Sequence, residues 1–422
     1  MTNSPTSALR IDGQRLWQSL MDLAKLGATP KGGNCRLALT EEDRQGRELV
    51  TGWLRDAGLT LQVDQIGNIF ARREGRRDDL PPVVTGSHLD TQPTGGRFDG
   101  CYGVLAGLEV MRVLADHQIT TEAPLEVVIW TNEEGCRFVP VMMGSGVYTG
   151  IIALEDALAA KDRQGDTVAA SLERIGYAGD LPVGEQEFGA YFEAHIEQGP
   201  VLEAEGLQVG AVTGSLGLRW FDVVVTGQEA HAGPTPMPYR RDALKHSAAL
   251  LGEILELADP YQPNGRVTCG EFDLYPNSRN VIPGQVRFSV DIRHLEPEVL
   301  DQMEQALRDV CVRHDEPGKV TVELRDVQQV PPTPFDKELV DLVRSSSRAL
   351  EIPYRDIETG AGHDAVFVSR VAPTAMIFVP CEDGISHNES EYAKPEDLEA
   401  GANVLLHAML GKSGVVDAQT SE

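Results

Sequence analysis

Apolar and polar positions along the chain alternate between two periods. Residues 14–24 and 41–57 carry apolar side chains at helical spacing, and residues 61–72 read as two strands around a turn at Gly67-Asn68. A short buried strand is expected at 82–85, running into Gly86-Ser87-His88. A helix over 103–117 and a strand over 125–130 ending at Thr131–Glu134 follow. Strands and helices in turn predict an α/β sheet with helices on both faces. In such folds the reactive residues gather at the carboxyl ends of the strands.

Residues 214–330 follow another plan. Strands are expected at 219–226, 266–274, 285–294 and 319–330, with helices at 241–257 and 298–314. The order β-α-β-β-α-β is that of a split-βαβ, ferredoxin-like domain. Glycines at 210–217 and prolines at 331–334 bracket it as expected hinges. Beyond them the first pattern resumes, with a helix at 336–350, a Gly-rich turn at 360–362, a strand at 374–379 and a helix at 395–410. The expected organisation is a metal-binding α/β catalytic domain in two segments, 1–213 and 332–412, an inserted ferredoxin-like lid and dimerisation domain at 214–331, and a flexible tail at 413–422.

Lys and Arg number 37 against 65 Asp and Glu, a net charge of −28 in 422 residues. That balance repels phosphate backbones and anionic headgroups, so neither nucleic acid nor membrane is an expected partner. The six cysteines are scattered with no C-x-x-C pair, which argues against a disulfide framework or thiolate zinc. Residues 1–10 are polar without an apolar h-region, and no stretch of ~18 apolar residues occurs. The expected location is the cytoplasm.

The chemistry is concentrated in imidazoles and carboxylates placed mostly just after strands: His88 and Asp90, Asp99, Glu133 and Glu134, His195 and Glu197, and His387. This mixture suits zinc, manganese, cobalt or nickel. In H-x-D the His can bind metal while the Asp takes its other ring N–H. An aspartate such as Asp99 can bridge two ions, and of the pair Glu133-Glu134 one can bind metal while the other acts as a base. Residues 144–150 lack the register of a nucleotide loop, and no G-x-S-x-G elbow exists.

Seven stretches in order, GSHLDTQPTGGRFDG (86–100), TNEEGCRF (131–138), EAHIEQGP (193–200), EAHAGPTP (229–236), NSRNVIPG (277–284), GAGHDA (360–365) and ISHNE (385–389), resemble the hydantoinase/carbamoylase family of zinc-dependent amidohydrolases. That family comprises N-carbamoyl-L-amino-acid hydrolases, ureidopropionases and allantoate amidohydrolases, within the dinuclear aminoacylase and peptidase superfamily. The likeness spans residues 16–410. It implies two divalent ions per subunit, with zinc the first expectation: one held by His88, Asp99 and His195, the second by Asp99, Glu134 and His387. It implies that Asp90 orients His88 and that Glu133 is the general base. His195 as a third ligand points to the carbamoylase branch and away from aminoacylases and dipeptidases.

The resemblance further implies that Arg293 grips a substrate carboxylate with help from Asn280, that Gln198 and Gly362 contact the substrate near the metals, and that the lid forms a homodimer. His231 is suited to donate a hydrogen bond to a developing oxyanion. Taken singly, Arg293 reads equally as a surface ion pair, His231 as a loop histidine against Pro234 and Pro236, and Asn280 as a turn residue. The expected substrate is a small molecule with a carboxylate and a ureido group. The expected reaction is hydrolysis of N-carbamoyl-L-amino acids or N-carbamoyl-β-alanine, with allantoate hydrolysis as the alternative. An aminoacylase, a dipeptidase or a metal-dependent binding protein ranks lower.

Overall fold

The computed structural model describes residues 8–416. They form two compact units, one of residues up to 213 and from 335 onward, the other of residues 214–334.

Four parallel strands form the centre of the larger unit: Leu125–Trp130, Val83–His88, Ala190–Ile196 and Thr374–Val379, in that order across the sheet. Every residue in these strands is buried. Burial therefore shows no alternation along them, as in strands covered on both faces, and takes in Thr85, Ser87, Glu126 and Glu193 beside the apolar side chains. Thr60–Val63 and Ile69–Arg73 extend one edge antiparallel, and Val209–Ser215 extends the other. Helix Cys101–Asp116 packs on Val83–His88, and helix Pro395–Ser413 packs on Thr374–Val379. The parallel register pairs His88 with Trp130 and Phe378 with His195. Loops leaving the carboxyl ends of these strands thus start from one edge of the sheet.

Residues 210–215, expected as a hinge, lie instead within strand Val209–Ser215. Their glycines serve close packing: a Cβ on Gly210 would come 2.7 Å from Ile357 Cγ2, and one on Gly214 would come 2.6 Å from the Thr333 carbonyl. At the other boundary Thr333–Pro334 pairs with Ser215 and Gly214. Small residues that read as flexibility in one dimension are a packing requirement in three.

The smaller unit orders its strands Phe272–Tyr275, Gln285–His294, Gly217–Thr226, Thr321–Val330, all antiparallel. Helices Ala243–Leu255 and Pro297–His314 cover the face made by Phe221, Val223, Val225, Val286, Phe288, Val290 and Ile292. This is the β-α-β-β-α-β order read from the sequence. The strand expected over 266–274 is broken into Arg266–Thr268 and Phe272–Tyr275. The Ser289 hydroxyl accepts the backbone N–H groups of Gly270 (3.2 Å) and Glu271 (2.9 Å) and so replaces two ladder bonds.

The last helix runs to Ser413, Val415 bridges to Thr121, and the Val416 N–H donates to the Thr120 carbonyl at 3.0 Å. The tail expected from 413 is therefore tied down as far as 416, and its remainder, 417–422, lies outside the described residues. All six cysteines are free. Among the described residues, no helix is long and apolar enough to cross a membrane.

Candidate active site

His88 ends its strand and is buried; its Nδ1 lies 2.8 Å from the backbone carbonyl of Asp90. His195, one residue from the end of its strand, places Nδ1 2.9 Å from the Ile196 carbonyl. Each carbonyl can only accept, so each Nδ1 carries a proton and each Nε2 is the ring atom that faces the cluster. Asp99, in the loop before helix Cys101–Asp116, stands between the imidazoles. Its Oδ1 is 3.1 Å from His195 Nε2 and 3.8 Å from His88 Nε2. Its Oδ2 is 3.3 Å from His387 Nε2, and His387 Nε2 is 3.5 Å from Glu134 Oε2. Glu133 Oε2 lies 3.5 Å from His88 Nε2. The sets His88, Asp99, His195 and Asp99, Glu134, His387 each bring their ligand atoms within 4.8 Å of one another.

The structure corrects the role expected of the Asp90 side chain. The backbone carbonyl of Asp90, and not its carboxylate, takes the His88 ring proton; the carboxylate stays 3.8 Å from Nδ1. That carboxylate instead accepts the backbone N–H groups of Glu133 and Glu134, each at 3.2 Å. Glu197 does not join the cluster. Its carboxylate accepts the N–H groups of Val201 and Leu202 and caps the short helix Val201–Glu205.

Burial pushes the Glu133 carboxyl well above its usual range, with Asp364 and Glu134 adding to the shift. Burial and the Asp99 charge push Glu134 up to about 8. Asp99 is buried too, yet hydrogen bonding to His195 and His387 outweighs burial and holds it well below the ordinary carboxylate value. Burial opposes protonation of His195, but the bond to Asp99 wins and raises it to about 9. Asp99 likewise raises His387 to about 9, against burial. A cluster with this many buried carboxylates draws positive charge, and imidazole and carboxylate donors suit a pair of borderline divalent ions. The residues present fit such a pair.

The cavity over this cluster measures about 240 Å³. Gln198 and Gly362 line it together with Val141, Met142, Ala361 and His363. Gln198 donates its side-chain N–H to Asp99 Oδ2 and Ser386 Oγ, at 3.0 and 3.2 Å. Gly362 leaves room for Met142: a Cβ there would come 3.1 Å from Met142 Cε.

His231, Asn280 and Arg293 belong to the smaller unit. His231 and Asn280 meet where Ala230–His231 pairs with Val281–Ile282, and the Asn280 carbonyl accepts the Ala232 N–H at 2.9 Å. His231 Nδ1 accepts the Gly233 N–H at 3.1 Å, which leaves Nε2 as the donor. The Arg293 Nε and Nη2 groups hold the Asp291 carboxylate at 3.0 and 2.6 Å.

Three polar side chains, Gln92, Glu391 and Ser386, support the cluster without having been singled out in the sequence, and His363, read there as shaping the Gly-rich turn and substrate pocket, joins them. Gln92 donates to Glu134 Oε2 at 2.6 Å. Glu391 accepts the backbone N–H groups of Phe98 and Asp99, at 2.9 and 3.2 Å, and the Ser386 hydroxyl at 3.0 Å. His363 packs its ring edge-on against His195, with centroids 4.5 Å apart. Gln92 sits inside a quoted motif and Glu391 two residues beyond another, so position within a motif was the one signal available.

Strands delivering two ligand sets to one sheet edge define a metallohydrolase scaffold. The profile of Peptidase family M20/M25/M40 matches residues 84–411. An N-carbamoyl-L-amino-acid amidohydrolase of Rhizobium meliloti is 45% identical over 98% of this chain and 100% of its own. An allantoate amidohydrolase of Bacillus subtilis is 34% identical over 91% of this chain and 93% of its own. The crystal structure of a hydantoinase/carbamoylase-family amidase from Burkholderia multivorans is 55% identical and superposes with a TM-score of 0.93, covering 96% of this chain and 99% of that one. The chain belongs to the hydantoinase/carbamoylase branch of the M20 peptidase family. The family is metal-dependent, and its relatives here are hydrolases of amide bonds.

Proposed function

We propose that the protein hydrolyses the carbamoyl C–N bond of N-carbamoyl-L-amino acids, giving amino acid, carbon dioxide and ammonia. The observation that carries this reading is Asp99 shared between two ligand sets with Glu133 beside them. The Rhizobium meliloti relative supplies the bond class.

In this reading His88, Asp99 and His195 hold one divalent ion, and Asp99, Glu134 and His387 hold the other. Zinc is the expected metal, and manganese, cobalt or nickel fit the same donors. Such ions acidify water and polarise a carbonyl, which a ureido group needs because both of its nitrogens donate into the carbon. Glu133 accepts the proton of the attacking water. As the new C–O bond forms, His231 donates a hydrogen bond to the carbonyl oxygen. The C–N bond then breaks and Glu133 returns its proton to the departing amine. The carbamate released decomposes to carbon dioxide and ammonia. Arg293, with Asn280, grips the substrate carboxylate. Gln198 and Gly362 position the substrate beside the cluster. Asp90 acts by holding Glu133 and Glu134. We further propose a cytoplasmic homodimer joined through the smaller unit, which light scattering in solution tests.

The deciding experiment is ammonia release by metal-loaded protein from N-carbamoyl-L-amino acids, N-carbamoyl-β-alanine and allantoate side by side, with a chelated control. Turnover of the first group and not of allantoate is expected. Preferential turnover of allantoate would install the second reading, which the Bacillus subtilis relative favours.

A further inference from the structure

Gln92 and Cys136 lie on different loops, and nothing in the mechanism above uses them. The Cys136 thiol lies 2.9 Å from Gln92 Oε1, with a longer contact of 3.7 Å to the Glu134 carbonyl. Gln92 Nε2 donates to Glu134 Oε2 at 2.6 Å. An amide can be turned either way round, and a donor on its oxygen settles which end faces the carboxylate. The thiol is that donor. It leaves the N–H as the group presented to Glu134.

We propose that Gln92, oriented by Cys136, is a positioning residue that fixes the Glu134 carboxylate for the second ion. The Gln92 hydrogen bond and the 3.5 Å approach of His387 Nε2 both fall on Glu134 Oε2, so Gln92 fixes the carboxylate oxygen that faces His387. The effect falls on the ion held by Asp99, Glu134 and His387. His88 and His195 have their own orienting carbonyls. This inference rests on the two-ion reading of the site.

The test is titration of chelator-stripped, full-length protein with Mn²⁺, followed by a competing chromophoric chelator and by the electron spin resonance of the bound ion. Wild type is expected to bind two ions per chain. Gln92→Met keeps the length and removes the hydrogen bonds. It is expected to weaken the second ion about tenfold, in the range seen for other groups that orient metal ligands, and to leave the first unchanged. Cys136→Ala is expected to weaken the second ion less, and Cys136→Ser, which keeps a donor, to restore it. The Cys136 pair tests the relay even where Gln92→Met folds poorly. Wild-type binding of two ions with Gln92→Met and Cys136→Ala both within twofold of it would overturn the relay alone. Binding of fewer than two ions by wild type would overturn the two-ion reading and the relay with it.

Discussion

The Asp90 carboxylate accepts the backbone N–H of Glu133 at 3.2 Å, so the loop after strand Leu125–Trp130 hangs from the loop after strand Val83–His88. A second bond of the same length reaches Glu134. Replacing Asp90 with Ala strands two buried N–H groups. The expected loss of stability is about 2 kcal/mol or more, with a fall in kcat as the Glu133 loop loosens. Asn, which keeps one acceptor, loses less. Urea unfolding and steady-state kinetics on both variants check this.

Glu133 is the proton carrier of the proposed reaction. Glu133→Gln keeps size and polarity and removes the base. Its kcat is expected to fall by about 10²–10⁴, with metal content equal to wild type by elemental analysis. A near-normal kcat would move the role to another group.

Asp99 faces both halves of the cluster, whereas His387 faces one. Asp99→Ala is therefore expected to strip both ions under mild chelation, and His387→Ala only one. Metal stoichiometry after dialysis distinguishes the two.

His231 and Arg293 are assigned different tasks, and kinetics separate them. Loss of an oxyanion donor in His231→Ala is expected to lower kcat by about 10²–10³ with KM little changed. Arg293→Ala is expected to raise KM, and Arg293→Lys does not restore it because the bidentate grip is lost. An unchanged KM across carboxylate substrates removes Arg293 from the site and leaves it as the partner of Asp291.

Asp64 is buried away from the cluster and accepts N–H groups from Ile66 and Asn68. Burial outweighs those bonds and raises its pKa from 3.8 to about 7. The folded state therefore holds its proton more tightly than the unfolded chain. Its contribution to stability is complete below about pH 4 and is lost as pH rises through about 7. Urea unfolding of metal-free protein across this range is expected to show a downward arm that Asp64→Asn flattens.

The elements were readable in one dimension because their cause is local or periodic. The all-buried strands Leu125–Trp130 and Thr374–Val379 show as largely apolar runs, and the helix-covered face of the smaller unit shows as alternation in Val286–Ile292. Residue type and motif order also placed the ligand candidates at strand ends. They did not show which atom of Asp90 holds His88, that Glu197 caps a helix, or that the glycines near 210–214 lie closely packed in a strand. They gave no sign that Gln92 and Cys136 meet.

The links between loops were decided by tertiary structure, because the deciding contacts are single hydrogen bonds between residues 42, 43 and 293 positions apart, as in Gln92–Glu134, Asp90–Glu133 and Phe98–Glu391. Such contacts have no period, and composition carries no trace of them. By itself the sequence determined which strands are buried, in what order they come, and which side chains could bind metal. Only the folded sheet, by bringing the ends of parallel strands to one edge, decided which of those side chains face one another and through which atoms.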